Sequence, residues 1–337
     1  MQVLCHLFAG KREVIAMVKM DNSAIIQPVM ILVTGGTGFV GQAIIQHLIA
    51  SGKEVRILLR PSKISPQLPR SVPVDAAVSS LRDERGLRAA LRGVDTVIHL
   101  AGSERRSSRA NFNEVEVLGT QGLVNAAKQA GIQRILYLSH LGADRSSAYP
   151  FLRAKGVAEN IIARSGLKFT ILRSAIIFGP GDQFTTAFSR LLRISPGFVF
   201  IPEKGNTLLQ PVWIEDAVNC LAMAIERDDL IAQTISIGGI EAISFRDILS
   251  SIMEATGLQK RFWNVSMPFL RGLALIMDQI TRFPVSIHWL DYLAVDRTTA
   301  LDSIPRTFGI LPARFYRQLD YLSRAKKSLR RTKGLVF

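Results

Sequence analysis

Ile31-Leu-Val-Thr-Gly-Gly-Thr-Gly-Phe-Val-Gly41 is the stretch from which the rest of the chain is read. Residues 31–33 are apolar and favour an extended strand, and glycines follow at 35, 36, 38 and 41. Val40, Ile44 and Leu48, with Ile45 and Ile49 beside them, then recur at helical spacing. The order is strand, tight turn, helix. Gly35 permits the turn, Gly38 lets a pyrophosphate come close to the backbone, and Gly41 lets the helix pack on the strand. The helix N-terminus offers N–H groups and a positive dipole end to those phosphates. Gly35, Thr37, Gly38, Phe39, Val40 and Gly41 are therefore the expected contacts of a bound dinucleotide.

Strand and helix go on alternating downstream. Strands are expected at 54–60, 72–78, 94–100, 134–139 and 169–173, and helices at 81–91, 114–130 and 151–165. This order predicts an α/β fold, a Rossmann-type doubly wound parallel sheet with a smaller C-terminal cap. The expected division is an NAD(P)-binding domain over 30–180 and a cap or substrate region over 181–322, with a strand at 234–237 returning to the sheet. Ser244 to Asp247 has the form of a capping box and starts another helix. Residues 268–280 form an amphipathic stretch that suits a buried cap helix or a membrane- or partner-facing one.

The second strand ends in Arg60-Pro-Ser-Lys63, about 20 residues beyond the glycine turn, where NAD-binding chains carry an acid for the ribose 2′-hydroxyl. Arg60 and Lys63 would pair instead with a 2′-phosphate, so NADP(H) is favoured over NAD(H). His99 stands alone on an apolar strand, which fits core packing or a backbone hydrogen bond better than catalysis. No metal site is assigned.

The chain has 337 residues, 48% of them hydrophobic, which excludes extensive disorder, and a net charge of +15. No uncharged apolar run reaches the ~18–20 residues that span a bilayer. Two cysteines, Cys5 and Cys220, make no disulfide framework and suit a reducing, cytoplasmic setting. Residues 1–29 carry short apolar runs interrupted by Lys11 and Arg12, an order unlike a signal peptide, and are expected to lie outside the fold. Six cations and no acid fall in the tail Ser323-Arg-Ala-Lys-Lys-Ser-Leu-Arg-Arg-Thr-Lys-Gly334. The basic tail, 323–337, suits a disordered end or an anionic membrane surface. Nucleic acid is disfavoured, because no aromatic stacking platform accompanies the charge.

Read as T-G-G-T-G-F-V-G, residues 34–41 resemble the extended and atypical short-chain dehydrogenase/reductases. The series ILRSAIIFGPGD (171–182), QPVWIEDA (210–217), SIGG (236–239), SFRDIL (244–249) and FGILP (308–312) narrows the resemblance. It is similar to the atypical subgroup that includes the NAD(P)H-binding accessory subunit of respiratory complex I and its bacterial relatives. Nucleotide-sugar epimerases and NmrA-like redox sensors are more distant. The resemblance implies that Leu100-Ala-Gly102 passes close to the cofactor, and that Ser80 stands where the family often has an adenine-contacting Asp.

It also implies a Tyr-x-x-x-Lys pair after the fifth strand, four residues apart and so on one helix face. Lys155 is present with its ribose-binding role, but Phe151 occupies the tyrosine position. Tyr149 lies two residues upstream, followed by Pro150, and the serine position falls on Ser139 or His140. Three readings stay open: Tyr149 reaches the site, another group such as His140 serves as acid, or NADP(H) is bound without turnover. The implied function is oxidoreductase or epimerase-type chemistry on the carbonyl or hydroxyl of a small molecule. The alternative is a non-catalytic NADPH-binding accessory or redox-sensing protein, at a membrane complex or its surface.

Overall fold

The computed structural model describes residues 29–62, 74–102, 111–280 and 287–323. The extension up to residue 28, Lys63 and the basic tail from 324 lie outside the described residues. Six strands follow one another as β1 (Met30–Thr34), β2 (Glu54–Leu59), β3 (Asp75–Val78), β4 (Thr96–His99), β5 (Arg134–His140) and β6 (Lys168–Ser174). The strand Gln233–Ile237 returns to pair with β6. All pairings in this sheet are parallel, and its order is Gln233–Ile237, β6, β5, β4, β1, β2, β3.

Alternation along each strand divides the core in two. Ile31 and Val33 of β1, Ile57 of β2, Ile98 of β4, Leu136 of β5 and Leu172 of β6 face α1 (Phe39–Ala50), with its Ile44, Ile45 and Leu48. Leu32, Leu58, Val97, Ile135 and Ile171 face the other way. They pack on α2 (Glu84–Ala90), α3 (Gly119–Ala130) and α4 (Pro150–Ala163) through Leu87, Leu123, Ala127, Ala158 and Ile162. Each such aliphatic side chain contributes ~1.5–3 kcal/mol by leaving water. The core facing α1 is completed by α6 (Ile214–Glu226) and α10 (Ser303–Phe308).

Several elements differ from expectation at their ends for local reasons. α2 starts at Glu84 rather than 81, because the Asp83 side chain accepts from Arg85 N and Gly86 N and caps it. The helix expected at 114–130 opens instead with a π-helical turn, Asn113–Leu118, before α3. Pro150 is the first residue of α4, so Tyr149 is its extended N-cap residue and is not on the helix.

The C-terminal region builds a separate aromatic core around Phe184, Phe188, Phe245 and Trp289. It is carried by α5 (Thr185–Ile194) and α7 (Phe245–Thr256), the latter capped by Ser244, which accepts from Asp247 N at 3.1 Å. A parallel strand pair, Phe198–Pro202 with Arg261–Val265, was not expected; Phe198 and Trp263 stack across it at 4.4 Å. The apolar stretch after it forms α8 (Met267–Ile280) and α9 (Ile287–Tyr292). Leu270 and Ala274 pack on Leu290, whereas Phe269, Leu275 and Ile276 are exposed. One face of this helix is core and the other is exposed. Among the described residues no helix is long and apolar enough to cross a membrane.

Candidate cofactor and substrate site

β1 and β4 are neighbours whose onward connections leave in opposite directions, which opens a crevice at the carboxyl ends of the strands. The glycine turn sits there. Gly35 has φ +73°, and a Cβ on it would come within 2.7 Å of Ala101 N. A Cβ on Gly41 would run into the Gly35 carbonyl, so α1 closes on the turn only with glycine there. Gly38 is the extended N-cap residue of α1 and brings no side chain to its first N–H groups. These observations fit a pyrophosphate laid on the helix N-terminus. Thr37 is exposed, and Phe39 and Val40 open the helix. Leu100 N donates to the Thr34 carbonyl (3.2 Å) and Ala101 N to the Thr34 hydroxyl (3.2 Å), which holds Leu100, Ala101 and Gly102 against the turn.

Arg60 is exposed at the end of β2, whose Leu58 pairs with Thr34. It makes no ion pair among the described residues. The Ser80 hydroxyl accepts from Arg82 N at 3.3 Å in the turn after β3.

Beneath the crevice, His99 is fully buried. Its ring meets two hydroxyls, Thr34 Oγ1 at Nδ1 (2.7 Å) and Thr120 Oγ1 at Nε2 (3.0 Å), not the backbone. Thr120 donates its own proton to the Glu116 carbonyl (2.5 Å), so it accepts from Nε2–H, and Nδ1 accepts from Thr34. The ring is the neutral tautomer. Burial, aided by the Lys155 charge, pushes its pKa down to about 3. The unfolded chain takes up this proton below ~6.5 and the folded one does not. His99 therefore removes stability as pH falls from ~6.5 towards 3, ~2 kcal/mol between pH 7 and pH 5. Urea unfolding at the two pH values should show that difference, and His99→Asn should lose it; an unchanged slope would place the acid sensitivity elsewhere.

Lys155 is buried on α4. Its ammonium lies 3.0 Å from Glu116 Oε2, donates to the Leu138 carbonyl (3.3 Å), and sits 4.8 Å from the Tyr137 ring centre. Glu116 is wholly buried and also accepts from the Tyr137 hydroxyl at 3.4 Å. Burial and this carboxylate raise the pKa of Tyr137 well above its ordinary value. A Cβ on Gly102 would come within 2.8 Å of Glu116 Oε1 and 3.5 Å of Lys155 Nζ, so the pair lies directly under the segment Leu100 to Gly102. Sequence reasoning missed Glu116. The signal was a lone carboxylate in the apolar phase, four residues before Thr120 and seven before Leu123, in a helix otherwise apolar on that face.

Phe151 stands one turn before Lys155, whose ammonium is 6.0 Å from the ring centre, and packs edge-on against Phe112 (5.5 Å) and His140 (5.7 Å). Of the two residues at the serine position, His140 is the one beside Phe151. Ser139 instead donates to Glu159 (2.5 Å), a carboxylate already clamped by Arg173. Tyr149 lies 5.9 Å from the Arg297 guanidinium. Among the described residues no group of three or more His, Cys, Asp or Glu is arranged to hold a metal.

The NAD(P)H-binding family matches residues 35–186. The chain is 26% identical over 279 residues to the mitochondrial NADH dehydrogenase (ubiquinone) 1 alpha subcomplex subunit 9 of Arabidopsis thaliana, covering 80% of this chain and 68% of that one. It is 28% identical to sterol demethylase protein B of Methylococcus capsulatus, covering 74% and 82% respectively. The UDP-glucose 4-epimerase of Thermus thermophilus, solved with NAD, shares the fold with a TM-score of 0.68 at 22% identity, over 89% of this chain and 99% of that one. Residues 35–186 are thus an NAD(P)H-binding domain, and the chain is an atypical short-chain dehydrogenase/reductase-like protein that shares its fold with the epimerase.

Proposed function

We propose that the chain is an NADP(H)-dependent oxidoreductase or epimerase-type enzyme in which His140 exchanges the proton at the substrate oxygen. The observation that carries this reading is the edge contact of His140 with Phe151, one helical turn from the buried Lys155. When bound, the nicotinamide supplies or accepts a hydride at the substrate carbon. Gly35, Thr37, Gly38, Phe39, Val40 and Gly41 would hold the pyrophosphate, and Lys155, oriented by Glu116, the ribose. A histidine suits the proton transfer near neutral pH. NADPH oxidation by the full chain with ketones, quinones and nucleotide sugars tests the proposal; tight NADPH binding without turnover on any of them would reject it.

Phe151 favours a second reading, because its ring has no proton to give. In that reading NADPH is a structural or sensing ligand, as in an accessory subunit of a membrane complex. Similarity to a protein named as an NADH dehydrogenase subunit supports it.

NADP(H) over NAD(H) rests on Arg60, exposed and with no ion pair among the described residues where the 2′-phosphate would lie, with Lys63 following it in sequence. Each charge-assisted hydrogen bond is worth ~1.5–3 kcal/mol. Arg60→Ala should therefore weaken NADPH by roughly tenfold to a hundredfold and leave NADH nearly unchanged. Titration with both cofactors decides, and equal losses would remove the basis for NADP preference.

The exposed face of α8 and the basic tail support a cytoplasmic, membrane-peripheral setting on an anionic leaflet. Phe269, Leu275 and Ile276 share that face, and Trp263 and Phe200 are exposed on the adjoining strands. Cations near an acidic leaflet add ~1 kcal/mol each. Binding of the full chain to phosphatidylserine vesicles should fall with salt, on truncation after Leu322, and in Phe269→Ser. Partitioning unchanged by all three would make the surface irrelevant to lipid.

A further inference from the structure

We propose that Arg297 is an oxyanion receptor at the substrate end of this crevice, so that the substrate carries a carboxylate or phosphate besides its reacting carbonyl or hydroxyl. The proposal rests on the crevice being the substrate site of an NADP(H)-dependent enzyme. Arg297 is 5% exposed, and its backbone is fixed to the cap, N–H donating to the Leu208 carbonyl at 2.8 Å. Its guanidinium reaches across to Gly142, just after β5, where Nη1 occupies the space any side chain would need. The arginine therefore bridges the cap and the strand that carries His140.

Its Nε and Nη2 are buried and have no hydrogen-bond partner among the described residues. These two nitrogens form one edge of the guanidinium fork, the edge that matches the two oxygens of a carboxylate or phosphate. The protein uses the same edge elsewhere: Arg173 clamps Glu159 with Nε (2.9 Å) and Nη2 (2.5 Å). Buried Arg134, by contrast, spends both terminal nitrogens on the Ile225 and Arg227 carbonyls, Thr170 and Asp228. Around Arg297 the described partners are rings, Tyr292 at 5.3 Å and Tyr149 at 5.9 Å, which attract the charge but accept nothing from this edge. Burial without acceptors disfavours the cation, and its pKa is lowered accordingly. An oxyanion would satisfy both nitrogens at once. Tyr292 also touches His140 edge-on at 5.2 Å, so the receptor lies one ring away from the proposed acid.

The test uses the full chain saturated with NADPH, which keeps probes off the pyrophosphate position. Calorimetric titration compares levulinate with 2-pentanone and dihydroxyacetone phosphate with dihydroxyacetone. At least one charged probe should bind tenfold or more tightly than its neutral partner, and which pair shows it identifies carboxylate or phosphate. Arg297→Gln should abolish the preference, Arg297→Lys should keep part of it, and NADPH affinity should not change in either. Arg297→Met should melt no lower than the wild type, since it removes a buried charge without acceptors; a large drop in melting temperature would make the arginine a packing element and overturn the proposal. A preference that is absent, or that survives Arg297→Gln, overturns it too. Turnover with no charge preference rejects the receptor alone, whereas charge preference with no turnover on any carbonyl rejects the enzyme reading alone.

Discussion

Lys155→Ala is expected to lower stability by ~3–5 kcal/mol and to abolish tight NADPH binding. Glu116 is wholly buried, and Lys155 is the cation beside it at 3.0 Å. Removing the ammonium takes away the cation 3.0 Å from a wholly buried carboxylate, to which Tyr137 offers only a long hydrogen bond. The double variant Lys155→Met/Glu116→Gln removes both charges and should recover most of the stability, because a buried pair contributes little net energy over neutral groups that fill the same space. It should not recover cofactor binding if, as proposed, Lys155 holds the ribose. Tyr149→Phe should affect cofactor binding far less, because Tyr149 lies against Arg297 and not beside Lys155. Urea unfolding and NADPH titration separate the two effects. A single variant within ~1 kcal/mol of the wild type would mean that water or rearrangement satisfies Glu116, and the pair would lose its assigned role.

The second large effect is on turnover. A positioned general acid is worth ~10²–10⁴ in rate. His140→Ala should lower NADPH oxidation by that factor on any substrate the chain accepts, and Tyr149→Phe should leave it within a few-fold. Phe151→Tyr then asks whether the missing hydroxyl can be put back. A tyrosine there would stand one turn from Lys155 in space the phenyl ring already fills, so the fold should tolerate it. If turnover disappears in Tyr149→Phe and persists in His140→Ala, the proton passes through Tyr149 and the role of His140 is wrong. If only Phe151→Tyr turns over, the natural chain is the cofactor-binding, non-catalytic form.

What the sequence by itself determined is whatever chain neighbours determine. The glycine turn was legible because its strand, its glycines and its helix are contiguous, and steric demands at Gly35 and Gly41 admit little else. Phe151 and Lys155 could be placed on one face because helical geometry alone relates residues four apart. The place of Arg60 at the end of the strand that pairs with β1 followed from a fixed offset along the chain. The doubly wound sheet itself was written in the alternation of buried strands with amphipathic helices.

Tertiary structure alone decided the rest, because those features need residues far apart in the chain. Glu116 reaches Lys155 from another helix, a pairing that no helical wheel of a single segment contains. Ser139 donates its hydroxyl proton to Glu159, which Arg173 clamps, while His140 meets Phe151. The parallel cap pair is two short aromatic segments that acquire strand character only from each other. Arg297 reads in sequence as one more surface cation in a strongly basic chain. Only the packing of the cap over Gly142 buries it and leaves one edge of its fork without an acceptor.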